Sequence, residues 1–298
     1  MRSPVFNHGF RLVAAAGCCL GLCAGNALAD QKDGILKVCA DPANLPLSND
    51  KGEGYENKIA EALARDLKLR VEYTYFPQRM GFVRNTLKLK DEQSQQYKCD
   101  LIIGVPKEYE LTATTQPYMH STYSLIFSNR AEFGGLQVAD DLLKLPPEKL
   151  DALHIGVFTK SPGADWLLKH GLMDHAAVYS HQNGDIEESP ARTIERDLAS
   201  GKIDGAILWG PIAGMLVEQR TREPKWRAVP FAPAPAIKFD YEISMGLRQG
   251  EKPWKDTLDA WISAHQKQID SILLSYKVPL IDSAGHVTVS SLATDGKS

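Results

Sequence analysis

The residues of this chain that could do chemistry do not assemble into a catalytic set. Eight histidines occur in 298 residues, yet none falls in an H-E-x-x-H or H-x-x-E-H frame, so no zinc hydrolase site is read. His154, His170, His175 and His181 cluster in sequence without ligand spacing and read as surface residues. No G-x-S-x-G or other nucleophile frame is present. The run Asn49-Asp50-Lys51-Gly52-Glu53-Gly54 is acidic but lacks the ligand spacing of a calcium loop. Glu108, Glu110 and His120 are local candidates for an acid and a base, and nothing in the sequence pairs them. What remains suits binding: Asp41, Asn44, Arg79, Pro106, Tyr109, Tyr118, Thr159, Ser161 and Trp209. No metal, no cofactor and no catalysis are expected of such a set.

Each of these residues also has a plainer structural reading. Asp41 and Asn44 follow a short apolar strand beside Pro42 and Pro46. They either wall a cleft with hydrogen-bonding groups or form an Asx turn. Arg79 either reaches the cleft to bind an anion or a partner carboxylate, or forms a surface ion pair with its stem carbons covering the protein; the second reading is favoured. Arg84 lies on the same predicted helix. Tyr118 and Trp209 either anchor a ligand or pack in the core. Thr159 and Ser161 precede a helix whose free N–H groups suit an anion; a helix cap alone is the favoured reading.

Hydrophobic period and turn residues define the elements that must position these side chains. Residues 35–40, between Gly34 and Pro42, read as a strand. Ile59, Ala60, Leu63 and Leu67 recur at helical spacing over 55–67. Residues 70–76 form a second strand, 78–90 a helix with Phe82, Val83 and Leu87 inward, and 99–105 a fully buried third strand of the parallel kind. This β-α-β-α-β order gives an open parallel lobe. Residues 118–128 leave it as an extended strand, and 134–149 connect with one short helix.

The pattern then restarts. It runs through a strand at 153–158, a helix at 161–168 capped by Ser161 with Pro162 at its first position, and a strand at 177–179. A helix at 190–200 starts at Ser189-Pro190 and stops at Gly201. A strand at 203–209, a helix at 210–220 and a strand at 226–229 follow. Residues 231–238 form a linker, 242–248 a strand returning to the first lobe, and Trp254, Leu258, Trp261, Ile262, His265 and Ile269 mark a long final helix. From Asp282 the chain is polar and expected to be loose. Two α/β lobes crossed twice, near 125–129 and 230–241, enclose a cleft at the strand ends, where open α/β sheets bind ligands. The expected fold is two-lobed α/β with a central interlobe cleft and a two-strand hinge. Lobe 1 takes 30–126 plus 242–298, and lobe 2 takes 127–241.

Residues 1–29 read as a cleaved signal peptide. Arg2 and Arg11 supply the positive end, residues 12–24 the apolar run, and Ala27-Leu28-Ala29 the cleavage site. Leu22-Cys23 and Gly17-Cys18 are poor lipoprotein sites. The leader removes two of the 34 Lys+Arg and none of the 37 Asp+Glu, leaving a net charge of −5. A mildly acidic surface argues against nucleic acid and anionic membrane as partners, and no later segment is apolar enough to insert in a membrane. Of five cysteines, Cys18, Cys19 and Cys23 leave with the leader. Cys39 and Cys99 remain in an oxidising compartment, the periplasm, and a disulfide is the favoured reading. Against it, Cys39 sits late in the first strand and Cys99 early in the third, an offset that works against bridging distance.

The order of elements resembles the type II periplasmic binding protein fold over the whole mature chain, with AEALARDLKLRVEYTY, CDLIIGV, QPYMHSTYSLIF and LASGKIDGAILWG as landmarks. A closer resemblance lies in CADPANLPLSNDKGEGYENKIAE, FPQRMGFVRNTL and CDLIIGVPKEYELTATTQPYMHSTY. These are similar to the periplasmic proteins encoded beside PQQ-dependent methanol and alcohol dehydrogenases, the MoxJ/XoxJ type. The resemblance covers most of the first lobe. It implies an accessory role in methanol oxidation, assisting activation or maturation of a quinoprotein dehydrogenase of the calcium or lanthanide type, with its cytochrome c. Amino-acid binders of this superfamily follow the third strand with Ser/Thr and then Arg, which clamps the substrate carboxylate. Here Val105-Pro106-Lys107-Glu108-Tyr109-Glu110-Leu111 has no Arg. Where such binders place an Asp for the substrate amine, this chain has Leu208-Trp209-Gly210. The cleft is therefore expected to be aromatic, lined by Pro106, Tyr109, Tyr118 and Trp209, and suited to a peptide or partner segment. The alternative is an ABC-transporter binding protein for a small non-amino-acid solute.

Overall fold

The structure, a computed structural model, describes residues 34–128, 133–180, 190–220 and 225–288. The leader with its three cysteines, His181, Ser189 and the chain beyond Thr288 lie outside the described residues.

In lobe 1, β1 (Ile35–Ala40) and β4 (Arg70–Tyr75) run parallel in unbroken register, from Ile35 opposite Arg70 to Ala40 opposite Tyr75. β5 (Leu101–Pro106) lies parallel on the other side of β1. Every residue of β5 except Pro106 is buried, because both faces of the sheet are covered. On one face, α1 (Tyr55–Asp66) contributes Ile59, Ala60 and Leu63, and the long α7 (Lys252–Ser275) contributes Leu258, Ile262, Ile269 and Leu273. Trp261 Nε1 donates to Asp66 Oδ2 at 2.9 Å and joins the two helices.

The other face departs from the sequence expectation. The helix expected over 78–90 is a single turn, α2 (Phe82–Asn85). Gly81 enters it at φ +91°, a left-handed conformation that glycine adopts without strain. Thr86 ends it by donating its hydroxyl to Phe82 O at 2.7 Å. Phe82, Val83 and Leu87 are still buried, packed with Cys39, Cys99, Ile102 and Val105. Apolar spacing thus reported the inward face but not the helix length. Cys39 and Cys99 are bridged, with an S–S distance of 2.09 Å and a Cα–Cα distance of 5.5 Å. The expected offset does not separate them: Cys99 lies just ahead of β5, where Asp100 N donates to Lys37 O at 2.8 Å and keeps the segment against β1. Arg248, 7% exposed, ties this region to the sheet. Its Nη1 donates to Leu87 O and Cys99 O, and its Nη2 to Asp100 Oδ1 at 3.0 Å.

One strand is shared by both lobes. β6 (Ala113–Ser128) begins ahead of the expected start at Tyr118 and has 16 residues, a span of about 50 Å at strand rise. Up to Thr122 it pairs antiparallel with β11 (Asp240–Leu247), which also pairs β5. From Tyr123 it pairs instead with β9 (Gly205–Trp209) and β10 (Trp226–Pro230). β7 (Ile155–Phe158) and β8 (Ala177–Tyr179) continue the sheet in parallel with β9. The order is β4-β1-β5-β11-β6-β9-β7-β8. The second crossing is the segment from Pro230, opposite Ser124, to Asp240, opposite Thr122.

Lobe 2 packs α4 (Pro162–Lys169) on one face of its sheet, and α5 (Pro190–Ser200) and α6 (Gly210–Gln219) on the other. The connecting region holds a 3₁₀ helix at Ala139–Lys144 and one turn, α3 (Pro147–Leu150). Two glycines seat α6 directly on lobe 1. A Cβ at Gly210 would lie 2.3 Å from Thr122 O, and one at Gly214 would lie 2.3 Å from Lys277 O. The polar tail is pinned as far as Thr288 rather than loose. β12 (Leu280–Ile281) pairs with β13 (Val287–Thr288), and Asp282 Oδ1 accepts from Ala284 N and His286 N.

Candidate functional site

The loop after β1 is held by its own polar groups. β2 (Ala43–Asn44) and β3 (Ser48–Asn49) form a two-residue ladder. Asp41 Oδ1 accepts from Ala43 N at 2.8 Å, the Asx-turn arrangement. Its Oδ2 accepts from Gln78 N, and Asn44 Nδ2 donates to Gln78 Oε1 at 2.9 Å. Both residues therefore brace the turn around Gln78 against the end of β1. Arg79 stands exposed on that turn and forms no surface ion pair among the described residues.

Beneath this loop lies a buried polar group that composition and spacing did not reveal. Glu56, in the first turn of α1, is 7% exposed. Its Oε1 sits 2.2 Å from where a Cβ on Gly104 would lie, with the Tyr118 hydroxyl 3.5 Å from the same point. Only a glycine in β5 leaves room for the carboxyl. Glu56 Oε1 and the Tyr118 hydroxyl have no hydrogen-bond partner among the described residues. Burial, and secondarily the charge of Asp41, raises the Glu56 carboxyl to about 8, so it is held protonated at neutral pH. Burial also raises the Tyr55 and Tyr118 hydroxyls well above their usual range.

The four residues expected to line an aromatic cleft are dispersed. Tyr118 is 1% exposed and belongs to the lobe 1 core, not to a surface. Its hydroxyl lies beside Glu56 and Gly104, while its backbone carbonyl accepts from Gln266 Nε2 of α7. Tyr109 packs against the disulfide cluster. Trp209, at the N-cap of α6, joins a hinge cluster instead, with ring centroids 5.5 Å from Tyr123 and 5.9 Å from Tyr241. Phe239 meets the same group edge-on, its ring centroid 6.4 Å from that of Tyr123. Burial, then the neighbouring Tyr241, pushes the Tyr123 phenol up to about 12. Pro106 is exposed and borders a hollow of about 230 Å³ with Glu108, His120, Lys238 and Tyr241. An ion pair from Lys107 Nζ to Glu242 Oε2 and a hydrogen bond between His120 Nε2 and Asp240 Oδ2 cross it, both 2.8 Å. Glu110 is exposed and does not line this hollow.

The two lobes face each other across a separate cavity of about 220 Å³. Pro42, Asn49, Asp50 and Lys51 line it from lobe 1, and Arg192 and Met215 from α5 and α6. That is below the roughly 300 Å³ at which small-molecule sites begin. Thr159 is exposed at the end of β7, and Ser161 is buried with its Oγ accepting from Ala164 N at 3.2 Å, an N-cap. Among the described residues no three His, Cys, Asp or Glu side chains converge as a metal group would require.

The crystal structure of the periplasmic binding protein XoxJ from Methylobacterium extorquens AM1 is 33% identical, with a TM-score of 0.66, and the match covers 83% of this chain and 100% of that one. The chain belongs to the MoxJ/XoxJ-type periplasmic binding proteins. Protein MoxJ of Paracoccus denitrificans is 25% identical over 288 residues, 92% of this chain and 99% of its own. The crystal structure of MxaJ from Methlophaga aminisulfidivorans MPT, 22% identical with a TM-score of 0.65, shares the fold. No family model matches the sequence. As a MoxJ/XoxJ-type protein the chain carries the two-lobed type II binding fold, and no helix among the described residues is long and apolar enough to cross a membrane.

Sequence reasoning missed Glu56, Arg248 and the Tyr123–Phe239–Tyr241 group. Glu56 was masked by an amphipathic pattern that accommodates a polar first turn. The aromatic group was signalled only by Phe239 and Tyr241 closing the linker over 231–238.

Proposed function

We propose that this chain is an exported, periplasmic accessory protein of a PQQ-dependent methanol or alcohol dehydrogenase, of the calcium or lanthanide type, assisting its activation or maturation. Its dehydrogenase and the associated cytochrome c are the proposed partners, and the two lobes, hinged at the β6 partner switch, are the proposed gripping surfaces. The observation that carries this reading is the full-length similarity to XoxJ. The site supports it by what stands where amino-acid binders have their anchors. Lys107 is neutralised by Glu242, and Trp209 is packed into the hinge cluster with Tyr123 and Tyr241. The proposed cleft contacts are Asp41, Pro106, Thr159 and Trp209, which stand at or directly after the ends of β1, β5, β7 and β9. The test is pull-down of the dehydrogenase by the tagged protein from periplasmic extract; absence of both enzyme and cytochrome from the captured fraction removes the reading.

A second reading is an uptake receptor delivering a small non-amino-acid solute to an ABC transporter. Its site would be the cavity between the lobes, where Asn49, Asp50, Lys51 and Arg192 offer polar groups to a solute smaller than the usual ligand. A solute that raises the melting temperature by mass action would establish it.

A further inference from the structure

The flank of lobe 1 around the Gln78 turn has the makings of an interface. Met80 is 90% exposed, the most exposed large hydrophobic side chain among the described residues. It does not sit on a floppy loop. Gln78 is bound by Asp41 and Asn44, Phe82 N donates to Arg79 O at 2.9 Å, and Phe82 and Val83 are buried beneath. The Cys39–Cys99 bridge fastens the far end of the same segment to β1. A side chain presented on such a fixed turn loses little ordering entropy when it binds.

The charge around it is also distinctive. Residues 77–98 carry five Lys and Arg against two Asp and Glu, in a chain whose net charge is −3. Arg79, Arg84 and Lys88 are exposed, and no side-chain hydrogen bond or ion pair engages them among the described residues. Arg84 folds back toward the turn, its Nη2 lying 3.6 Å from where a Cβ on Gly81 would be. Elsewhere Arg70, Lys107, Arg192 and Lys202 each meet a carboxylate within 2.8 Å. Arginine and methionine are both enriched in protein interfaces. Unpaired cations beside a fixed apolar side chain suit a protein surface that presents carboxylates around a shallow apolar pocket.

We propose that Arg79, Met80, Arg84 and Lys88 form a docking surface for an acidic protein partner. The proposal rests on the accessory reading above and names the face that meets the dehydrogenase. Arg79 and Arg84 supply steering and charge pairing, and Met80 supplies the buried contact.

The test is surface plasmon resonance of the purified protein against purified PQQ-dependent methanol dehydrogenase from the same cells, at two salt concentrations. Arg79→Glu/Arg84→Glu is expected to raise the Kd by about tenfold or more and to flatten its salt dependence. Arg79→Gln/Arg84→Gln is expected to fall between that variant and the parent. Met80→Ser is expected to weaken binding roughly threefold or more with the salt dependence kept. Lys267→Glu, an exposed position on α7, serves as control and leaves Kd unchanged. A double Glu variant that binds like the parent overturns the docking surface while leaving the accessory reading intact. No association of the parent protein overturns the accessory reading, and this inference with it. Binding of the parent to phosphatidylglycerol vesicles, lost in the double Glu variant while dehydrogenase affinity is unchanged, assigns the patch to lipid and equally overturns the proposal.

Discussion

Glu56→Gln isolates the most unusual electrostatic feature of lobe 1. In the folded protein the Glu56 carboxyl titrates at about 8, raised from 4.5 by burial first and by Asp41 second. In the unfolded chain it ionises near its ordinary value, so between these limits the folded state binds the extra proton. The unfolding free energy therefore falls as pH rises. The contribution is fully present below the unfolded value and lost as pH climbs through the folded one. At about 1.4 kcal/mol per unit, the loss between pH 5 and pH 8 is on the order of 3 kcal/mol. Glutamine keeps the shape and the neutral polar head but does not titrate. The assay is urea unfolding followed by tryptophan fluorescence at pH 5, 6, 7 and 8, taking the difference between variant and parent so that other groups cancel. Glu56→Gln should gain on the parent steadily, by roughly 3 kcal/mol across that range. Two curves that stay parallel from pH 5 to pH 8 would refute the reasoning, because Glu56 would then be ionised in both states or in neither.

Three further expectations concern stability. Arg248→Met removes the buried guanidinium that serves Asp100 and the carbonyls of Leu87 and Cys99. It should cost about 3–5 kcal/mol in chemical unfolding, and a loss under about 1 kcal/mol would show those groups find water instead. Gly214→Ala places a Cβ 2.3 Å from Lys277 O. Calorimetry should register about 1–3 kcal/mol of overpacking, while Gly135→Ala, which meets nothing within 4 Å, should leave the melting temperature where it was. Cys39→Ser/Cys99→Ser opens a loop of 60 residues, for which chain entropy predicts a loss of about 4 kcal/mol. An unchanged urea midpoint would argue that the buried cluster, rather than the bridge, holds the segment.

Much of the fold could be read from local pattern because local pattern dictated it. β1, β8, α5 and α6 follow from apolar runs closed by Gly, Pro or polar caps, and Ser161-Pro162 marks the start of α4 through a hydroxyl that caps it. The failures share one cause, which is tertiary context. Phe82, Val83 and Leu87 repeat at helical spacing and are buried, yet Gly81 and Thr86 confine the helix to one turn. Tyr118 opens the strand expected over 118–128, but β6 starts at Ala113, so Tyr118 falls inside a strand with a core-facing side. Asp282 looked like the start of a loose tail, and its carboxylate instead closes a turn between β12 and β13. The site was least legible, since a strand end in sequence does not say which side chains turn inward. Glu56 is buried because Gly104 lies opposite it, a pairing of residues far apart in the chain that only the folded sheet brings together.

The central claim is that the two lobes serve a dehydrogenase and not a transported solute. The measurement that meets it most directly is the dye-linked activity of the PQQ-dependent methanol dehydrogenase from cells that express this chain and from cells that lack it, with complementation by the intact gene. The account predicts that enzyme from the lacking cells is deficient in activity at equal protein concentration, and that restoring the chain restores it. Equal specific activity in both strains, with no dehydrogenase held by the purified protein, would contradict it.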